Sequence, residues 1–397
     1  RATASFEFME AATVSVHTPA SKTVRVVPVA HFWQLRRFIG FPYRLYRNHP
    51  YWVPPLRRDV AETLNPKKNP FFEHGTMQPF LALDAQGRVL GRIAAIVNGM
   101  HLKKYNDGVG FFGFFECVPD FTVAQALFDA AAEWLRHQGL RYMRGPTNPS
   151  LNDVAGLLVD GFDRAPSILM PYNPPYYATF LEQAGFRRVM TMWAYYVHKK
   201  YLKTEKLERG VALVRRRNPT ITLRTLDLSR YEEEARIVLD IYNEAWSDNW
   251  GHVPMTENEF RHLARAMRQV IDPELVFILE DAGRPIAFSL IIPNLNQALR
   301  HVRNGRLFPF GLIKLLLAMQ LGVVYETRMP LMGIRKAYHG RGLDALLVLE
   351  TIQRGKLRGY EACEMSWVLD TNKVLLNALE HLGAVVDKAY ALYERPL

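Results

Sequence analysis

Residues Leu331 to Leu349 read LMGIRKAYHGRGLDALLVL. An apolar run ends at Ile334, basic side chains and two glycines follow, and an apolar run of helical type begins at Leu343. The pattern predicts a strand, a glycine-rich turn and a helix. Such a turn aims several backbone N–H groups at one point, at the positive end of a helix, and so makes a seat for phosphate. Arg335, Lys336, His339 and Arg341 add donors and positive charge around Gly340 and Gly342. An ordinary strand-to-helix connection with a solvated basic face explains the same residues, so both readings stay open on spacing alone. The ATP-type phosphate loop is excluded, because no lysine with a serine or threonine follows the glycines. A dinucleotide fingerprint is excluded because the turn lies late in the chain and has only two closely spaced glycines.

Outward from this stretch, the pattern predicts a strand over Tyr360–Val368, a helix over Asn372–Leu382 and a last strand over Val385–Tyr393. Upstream come a strand at Ile221–Thr225, a helix at Tyr231–Ala245, the loop WSDNWGHVPMTENEF and a helix that begins with the box Thr256 to Glu259. A hairpin follows at Leu275–Leu290, then a polar loop over 293–306 and a strongly apolar helix at Leu307–Gly322. That helix is expected to be buried between two domains, with a greasy channel or membrane-facing lip as the alternative.

The first half has the same order. It runs from a strand at Val24–Val29 through a hairpin over 79–98, a Phe-rich strand at Val109–Val118, a helix at Thr122–Gln138 and a polar, turn-rich loop over 145–163 that does not read as a core strand, to a strand at Arg188–Val197. AQGRVLGRIA pairs with DAGRPIAFSL, and FLEQAGFRRV with ALEHLGAVVD. This is an internal repeat of about 180 residues. Residues 1–22 are expected to be a loose arm, 23–198 and 220–397 the two α/β domains, and 199–219 a basic linker helix.

The chain has 397 residues, room for two domains, and a formal net charge of +11, which favours anionic partners without choosing among them. Cys117 and Cys363 fit buried thiols in a reducing compartment, and the N-terminal stretch does not read as a signal peptide. No uncharged apolar run is long enough for a membrane span. The twelve histidines form no short paired ligand motif, so no metal is expected. A cytoplasmic protein is the expectation, with peripheral placement at the inner face of the membrane for a lipid-like substrate.

The element order and the turn His339-Gly340-Arg341-Gly342-Leu343-Asp344 resemble the Gcn5-related N-acetyltransferase superfamily, in which this turn holds the pyrophosphate of coenzyme A. A second signature of that superfamily, a helix opened by Asn and closed by Gly-Phe, is matched in spacing by Asn372, Leu375, Leu379, Gly383 and Ala384. His339 and Asp344 depart from the usual turn residues, and Leu379 stands where a tyrosine often protonates the departing thiolate. The segments GFFEC, LNDVAGLLVDGFD and PYNPPYY also look like hallmarks of a bacterial group of large two-domain acyltransferases. Some of that group acylate long-chain amines, including sphingoid bases in ceramide synthesis.

The resemblance implies an α/β fold of tandem duplicated acyl-CoA N-acyltransferase-like domains, each a mixed central sheet flanked by helices. It implies coenzyme A, as its acyl thioester, bound in the second half by Met332, Gly333, Ile334, Arg335, His339, Gly340, Arg341, Gly342, Leu343 and Asn372. The first half becomes a degenerate copy with a substrate or scaffold role. The acceptor would be a primary amine, with a long-chain or lipid amine among the options. The amine needs a proton acceptor. Glu361 and Glu364 lie three apart on one strand and face opposite ways, and Glu364 is the one expected in the cleft. Tyr338 or Tyr390 could replace the missing tyrosine. Glu116, amid phenylalanines, marks a site or an ion pair. Asn148, Asn152, Tyr172, Asn173 and Tyr176 are first-half substrate candidates, and Asn243, Trp246, Asn249 and Trp250 their second-half counterparts. Two non-enzymatic readings stay open: a protein that binds acyl-coenzyme A without turnover, and a nucleic-acid binder using the basic run, although no nucleic-acid module is recognisable.

Overall fold

A computed structural model describes residues 24–268 and 270–397. The arm expected over 1–22 lies outside the described residues. The first half carries β1 (Arg25–Pro28), α1 (Phe32–Leu45), α2 (Arg57–Thr63), β2 (Gly75–Leu83), β3 (Val89–Asn98), α3 (Gly99–Tyr105), β4 (Val109–Cys117) and α4 (Phe121–His137). It continues with β5 (Tyr142–Gly145), β6 (Thr147–Asn148), β7 (Val154–Ala155), β8 (Leu157–Asp160), α5 (Tyr176–Gln183) and β9 (Arg187–His198). Then come α6 (Glu205–Arg217), β10 (Ile221–Thr225), α7 (Tyr231–Ala245), α8 (Glu257–Met267), β11 (Val276–Asp281) and β12 (Arg284–Pro293). The chain ends with α9 (Asn296–Leu299), α10 (Gly311–Gln320), β13 (Glu326–Ile334), α11 (Leu343–Leu357), β14 (Ala362–Leu369), α12 (Lys373–His381) and β15 (Val385–Pro396).

The halves repeat each other, with β4-α4-β5-α5-β9 answering β13-α11-β14-α12-β15. They do not close as separate sheets. One 13-stranded sheet runs in the order β1-β2-β3-β4-β5-β15-β9-β14-β13-β12-β11-β10, with β8 on β15. Each half gives its last strand to the other, so β15 lies beside β5 and β9 beside β14. The two exchanged strands pair antiparallel from Val385↔Tyr196 to Glu394↔Arg187. Both are covered on both faces along most of their length, which is why VMTMWAYYV and AYALY read as nearly continuous apolar runs.

Helices cover both faces. In the first half α4 and α5 bury one face around Phe112, Phe128 and Tyr177, while α1 buries the other around Phe38 and Phe111. In the second half α7 and α8 pack on Ile278 and Phe288, and α11 packs with α6 on Phe277 and Leu279. The expected linker is therefore a structural layer: Val211 of α6 is buried and Val214 lies against Gly342.

Two expectations are corrected. Residues 157–160, read as loop, form β8, because Leu157 and Leu158 bury against β15. The apolar helix is shorter than expected and is not buried between domains; of its own residues only Gly311 and Ala318 are buried. Among the described residues no helix is long and apolar enough to cross a membrane.

Because β9 and β15 make the seam of one sheet, the halves should unfold together. Scanning calorimetry should give a single transition, and deleting Val385–Leu397 should melt both halves. Two well-separated transitions in the intact chain would contradict the shared seam.

Candidate functional site

β13 and β14 are parallel, and their register holds only from Glu326↔Ala362 to Met329↔Met365. The next residue of β13 is Pro330, which has no N–H to give a ladder. Beyond it the strands part around a cleft of about 750 Å³. The edge Leu331–Ile334 forms one side and Met365–Leu369 the other. Asp344, Val348 and Ile352 repeat every four residues along α11, and Leu375, Leu379 and Leu382 line the facing side of α12. Asn372 lines the cleft and caps α12, its Oδ1 accepting from the Leu375 amide at 3.2 Å. Leu379, in the tyrosine's place, is buried and apolar.

At the open end of β13, Gly340 and Gly342 take φ of +74° and +77°, a left-handed conformation that favours glycine. Gly342 is the N-cap of α11 and offers no side chain to its amides. The amides of Gly340, Arg341 and Gly342 donate to no backbone acceptor among the described residues. A Cβ on Gly340 would meet nothing within 4 Å, whereas one on Gly342 would strike Val214 at 2.7 Å. The turn thus presents bare donors outward and is packed from behind, as an anion seat requires. His339 lines the cleft, with Nε2 held 2.8 Å from the Ile334 carbonyl. Arg341 lies over the Tyr338 ring at 4.6 Å. Asp344 is exposed in the first turn, and Leu343 is buried beneath it.

Several expected contacts are not brought together. Arg335 donates to Glu244 at 2.6 Å and to the Pro285 carbonyl, and Lys336 pairs with Asp248, so neither reaches toward the turn. The Tyr338 hydroxyl donates to Asp281 at 2.9 Å, outside the cleft lining. Tyr390 is fully buried, its hydroxyl has no partner among the described residues, and burial holds its pKa well above the usual range.

The two glutamates behave oppositely to expectation. Glu361 lines the cleft, paired with Lys199 at 3.1 Å. Glu364 is 2% exposed and lies behind the lining. Its Oε1 accepts from Ser366 Oγ at 2.6 Å and its Oε2 from Ser167 Oγ at 2.8 Å. Ser366 does line the cleft, and Arg328 Nε donates to its oxygen at 2.8 Å. Arg328 also donates to the carbonyls of Ser366 and Ile168. Arg328, Ser366 and Ser167 were not expected at the site. A signal for Arg328 exists: it is a lone cation inside an apolar strand that pairs in parallel with the strand of Glu364, and the register sets Arg328 opposite Glu364.

Across the cleft stands the loop after α7. Trp246, Asn249 and Trp250 line it. Trp246 Nε1 donates to the Met332 carbonyl at 3.3 Å, and Arg144 lies over Trp250 at 5.1 Å. Asn243 instead binds both polar groups of the Met255 backbone. Cys363 also lines the cleft, but burial pushes its thiol up to about 11, so it is protonated near neutrality.

The first-half candidates lie elsewhere, inside structural networks. Glu116 accepts from Tyr46 at 2.5 Å and Tyr177 at 2.8 Å, opposite Arg92 in the ladder, and burial raises its pKa. Tyr176 donates to the Cys117 carbonyl, Tyr172 to the Phe162 carbonyl, and Asn173 binds the Leu158 backbone at both ends. Asn152 accepts from Tyr242 and donates to Val253, tying the halves together. Asn148 accepts from the Phe114 amide at 2.6 Å. Here the gap between β4 and β5 is filled: Thr147 O sits where a Cβ on Gly113 would be, at 1.7 Å. The start of α4 is capped by Asp120, which accepts from the Thr122 amide and puts a carboxylate where the second half has bare glycine.

No family model matches the chain. Two curated bacterial proteins align along nearly all of it. "Protein YghO" of Escherichia coli (strain K12) is 36% identical over 368 residues, 91% of this chain and 93% of its own. "Bacterial ceramide synthase" of Caulobacter vibrioides (strain NA1000 / CB15N) is 37% identical over 378 residues, 94% of this chain and 97% of its own. Among solved structures, a tandem GNAT protein from the clavulanic acid biosynthesis pathway superposes with a TM-score of 0.56, covering 94% of this chain and 98% of that one. At 11% identity this is a likeness of fold, and it extends to the tandem arrangement.

The loop that carries the tryptophans is fixed by His252. Lys104 and Tyr105 of the first half donate to its carbonyl at 2.8 and 2.9 Å, and its ring is buried beside Tyr242. Burial, and to a lesser degree Lys104, lowers its pKa to about 4 from 6.5. A lowered folded pKa contributes stability that is present above the unfolded value and lost as pH falls through about 4. Urea midpoints measured from pH 7 to pH 4 should therefore fall less steeply for His252→Gln than for wild type. Parallel slopes would remove His252 from the account.

Proposed function

The chain belongs to the same family as those two bacterial proteins, a two-domain group within the Gcn5-related N-acetyltransferase superfamily, and we propose that it acylates the primary amine of a long-chain, lipid-like acceptor. Membership supports acyl-CoA-dependent acyl transfer in general; the amine and its lipid character are our reading. The observation that carries it is the cleft, which leads from a bare glycine turn, along a free strand edge, to a serine hydrogen-bonded to a buried carboxylate. Its walls of Val348, Ile352, Leu375, Leu379 and Leu382 offer hydrocarbon contact that an acetyl group would leave unused. The relative named as a ceramide synthase points to the same chemistry, since a ceramide is the amide of a fatty acid and a long-chain amino alcohol.

The residues present fit a coenzyme A thioester, whose part is to supply the acyl group in activated form. The amides of Gly340 to Gly342, with His339 and Arg341, would hold its pyrophosphate. The cleft edge of β13, from Leu331 to Ile334, would align the extended arm and offer an amide to the developing oxyanion. Trp246, Asn249 and Trp250 would receive the acceptor from the opposite side. As the amine nitrogen forms its bond to the acyl carbon, Ser366 Oγ takes its proton and passes its own to Glu364. Arg328 holds Ser366 in line. The proton that Glu364 has received would return through Ser366 and water to the departing thiolate, because Leu379 has none to give.

A binder without turnover is the second reading. It is favoured by Leu379 and by the position of Glu364 behind Ser366.

Three measurements test these roles. Asp and Asn both tolerate the backbone of Gly340, but only Asp adds negative charge. In calorimetric titration with palmitoyl-coenzyme A, Gly340→Asp should bind at least about tenfold more weakly than wild type, and Gly340→Asn within a few-fold. Equal binding by all three would move the phosphate elsewhere. With sphinganine as acceptor, Ser366→Ala and Glu364→Gln should each lower kcat by about 100-fold or more while coenzyme affinity holds. Tight binding by wild type with no turnover on any long-chain amine would establish the second reading.

A further inference from the structure

The excursion between β12 and β13 has a feature that acyl transfer does not use. From Pro293 to Tyr325 the chain contains Arg300, Arg303, Arg306 and Lys314 and no Asp or Glu. Its base is anchored on the first half. Arg57 donates from its amide to the Gly305 carbonyl at 2.9 Å and from Nε to the Asn304 carbonyl at 2.8 Å. Gly305 fits against Tyr43 and Pro55 so closely that a Cβ would lie 2.4 Å from the Tyr43 ring. That docking partner is itself free of acid: from Val24 to Arg58 there is no Asp or Glu either.

The tip is the reverse of a soluble helix. Phe308, Phe310 and Leu321 are 73%, 68% and 78% exposed. Between them, Ile313, Leu316 and Leu317 share one outward stripe of α10 at a spacing of three and four residues, and Met319 is exposed beside it. Ala318 and Gly311 face inward. Arg300, Arg303, Arg306 and Lys314 are all exposed, and none pairs with a carboxylate among the described residues.

We propose that α10 and the Phe308–Phe310 turn are a docking element for an anionic lipid bilayer, with the helix lying in the interface and its apolar stripe among the acyl chains. Contiguous exposed apolar side chains of this extent mark an interaction surface. An acid-free basic rim selects an anionic partner. A second copy of this chain fits less well, because a two-fold interface would set each patch against itself and bring like charges together. The inference does not rest on acyl transfer: a bilayer-docked protein with any activity would need the same surface.

Vesicle flotation of the full chain tests it. Wild type should float with vesicles of equal parts phosphatidylglycerol and phosphatidylcholine and less with phosphatidylcholine alone, and salt should weaken the first. The variant Ile313→Gln/Leu316→Gln/Leu317→Gln changes only exposed positions and no charge. It should keep the wild-type circular dichroism and melting temperature and lose at least about tenfold in partitioning. Arg300→Gln/Arg303→Gln/Lys314→Gln should lose the preference for anionic vesicles several-fold while retaining weak binding to neutral ones. No flotation by wild type, or equal flotation by the apolar variant, would overturn the proposal. So would a wild-type dimer that the apolar variant turns into a monomer in the absence of vesicle binding, which would assign the face to a second copy.

Discussion

The ladder between β9 and β15 is the constraint on which the rest of the molecule depends. Each strand ends one copy of the repeat and is built into the sheet of the other. β14 is thereby held on one side by β9 from Ala362↔His198 onward, with a shift between Met365 and Val368. On its other side β14 pairs with β13 for only four residues. A strand fixed firmly along one edge and released along the other can diverge from its neighbour without losing its place. The cleft is the result, and its width is set by a strand from the opposite half. The same exchange brings the loop of Ser167 and Ile168 against Glu364 and Arg328, so the polar network beside the cleft is made by both halves.

The two copies share a topology and have diverged in their use of it. In the second, the helix after the key strand begins with a glycine that leaves its amides open. In the first, Asp120 accepts from one of the equivalent amides, that of Thr122, and its charge opposes any phosphate there. A side-chain cap of that kind stabilises a helix by about 1 kcal/mol. The gap between β4 and β5 is closed by Thr147 and Asn148 lying on Gly113, and Tyr177 fills the space beneath Cys117. Each change trades an opening for packing or a hydrogen bond. The first half supplies β9, the Ser167 loop and the clamp on His252.

Much of this was legible. The repeat, the glycine turn, the hairpins and the coupling of turn to helix follow from local spacing, and local spacing is what sequence reports. The exchange of strands was not legible, because FLEQAGFRRV and ALEHLGAVVD look alike whichever sheet they enter. Glu361, just before β14, and Glu364, within it, show the same limit in miniature. Alternation separates the two side chains but does not say which one meets the cleft; that follows from packing, which closes Ser167 and Ser366 over Glu364 and leaves Glu361 beside Lys199. For α10 the composition reports apolarity and not its partner, and the exposed stripe emerges only from where the excursion is anchored. The first-half asparagines and tyrosines were read as pocket residues because turn formers and pocket residues are the same types; here Asn148, Asn173 and Tyr172 satisfy buried backbone groups.

Glu364 raises the remaining physical question, since a carboxylate sealed from solvent is costly. The cost is offset by two hydroxyl donors and by the nearby guanidinium of Arg328, which has no direct ion pair with it and acts through Ser366. Such a group cannot meet a substrate directly. It polarises Ser366, whose oxygen is fixed between a donor and an acceptor and whose position is therefore set before any ligand arrives. Under the proposed acyl transfer, charge developing beside Ser366 would be stabilised without reorganising solvent. A solvent-exposed glutamate such as Glu361, already paired with Lys199, would lose that advantage to water and screening. The burial of Glu364 is therefore consistent with a relay role and with the lone cation that β13 carries opposite it.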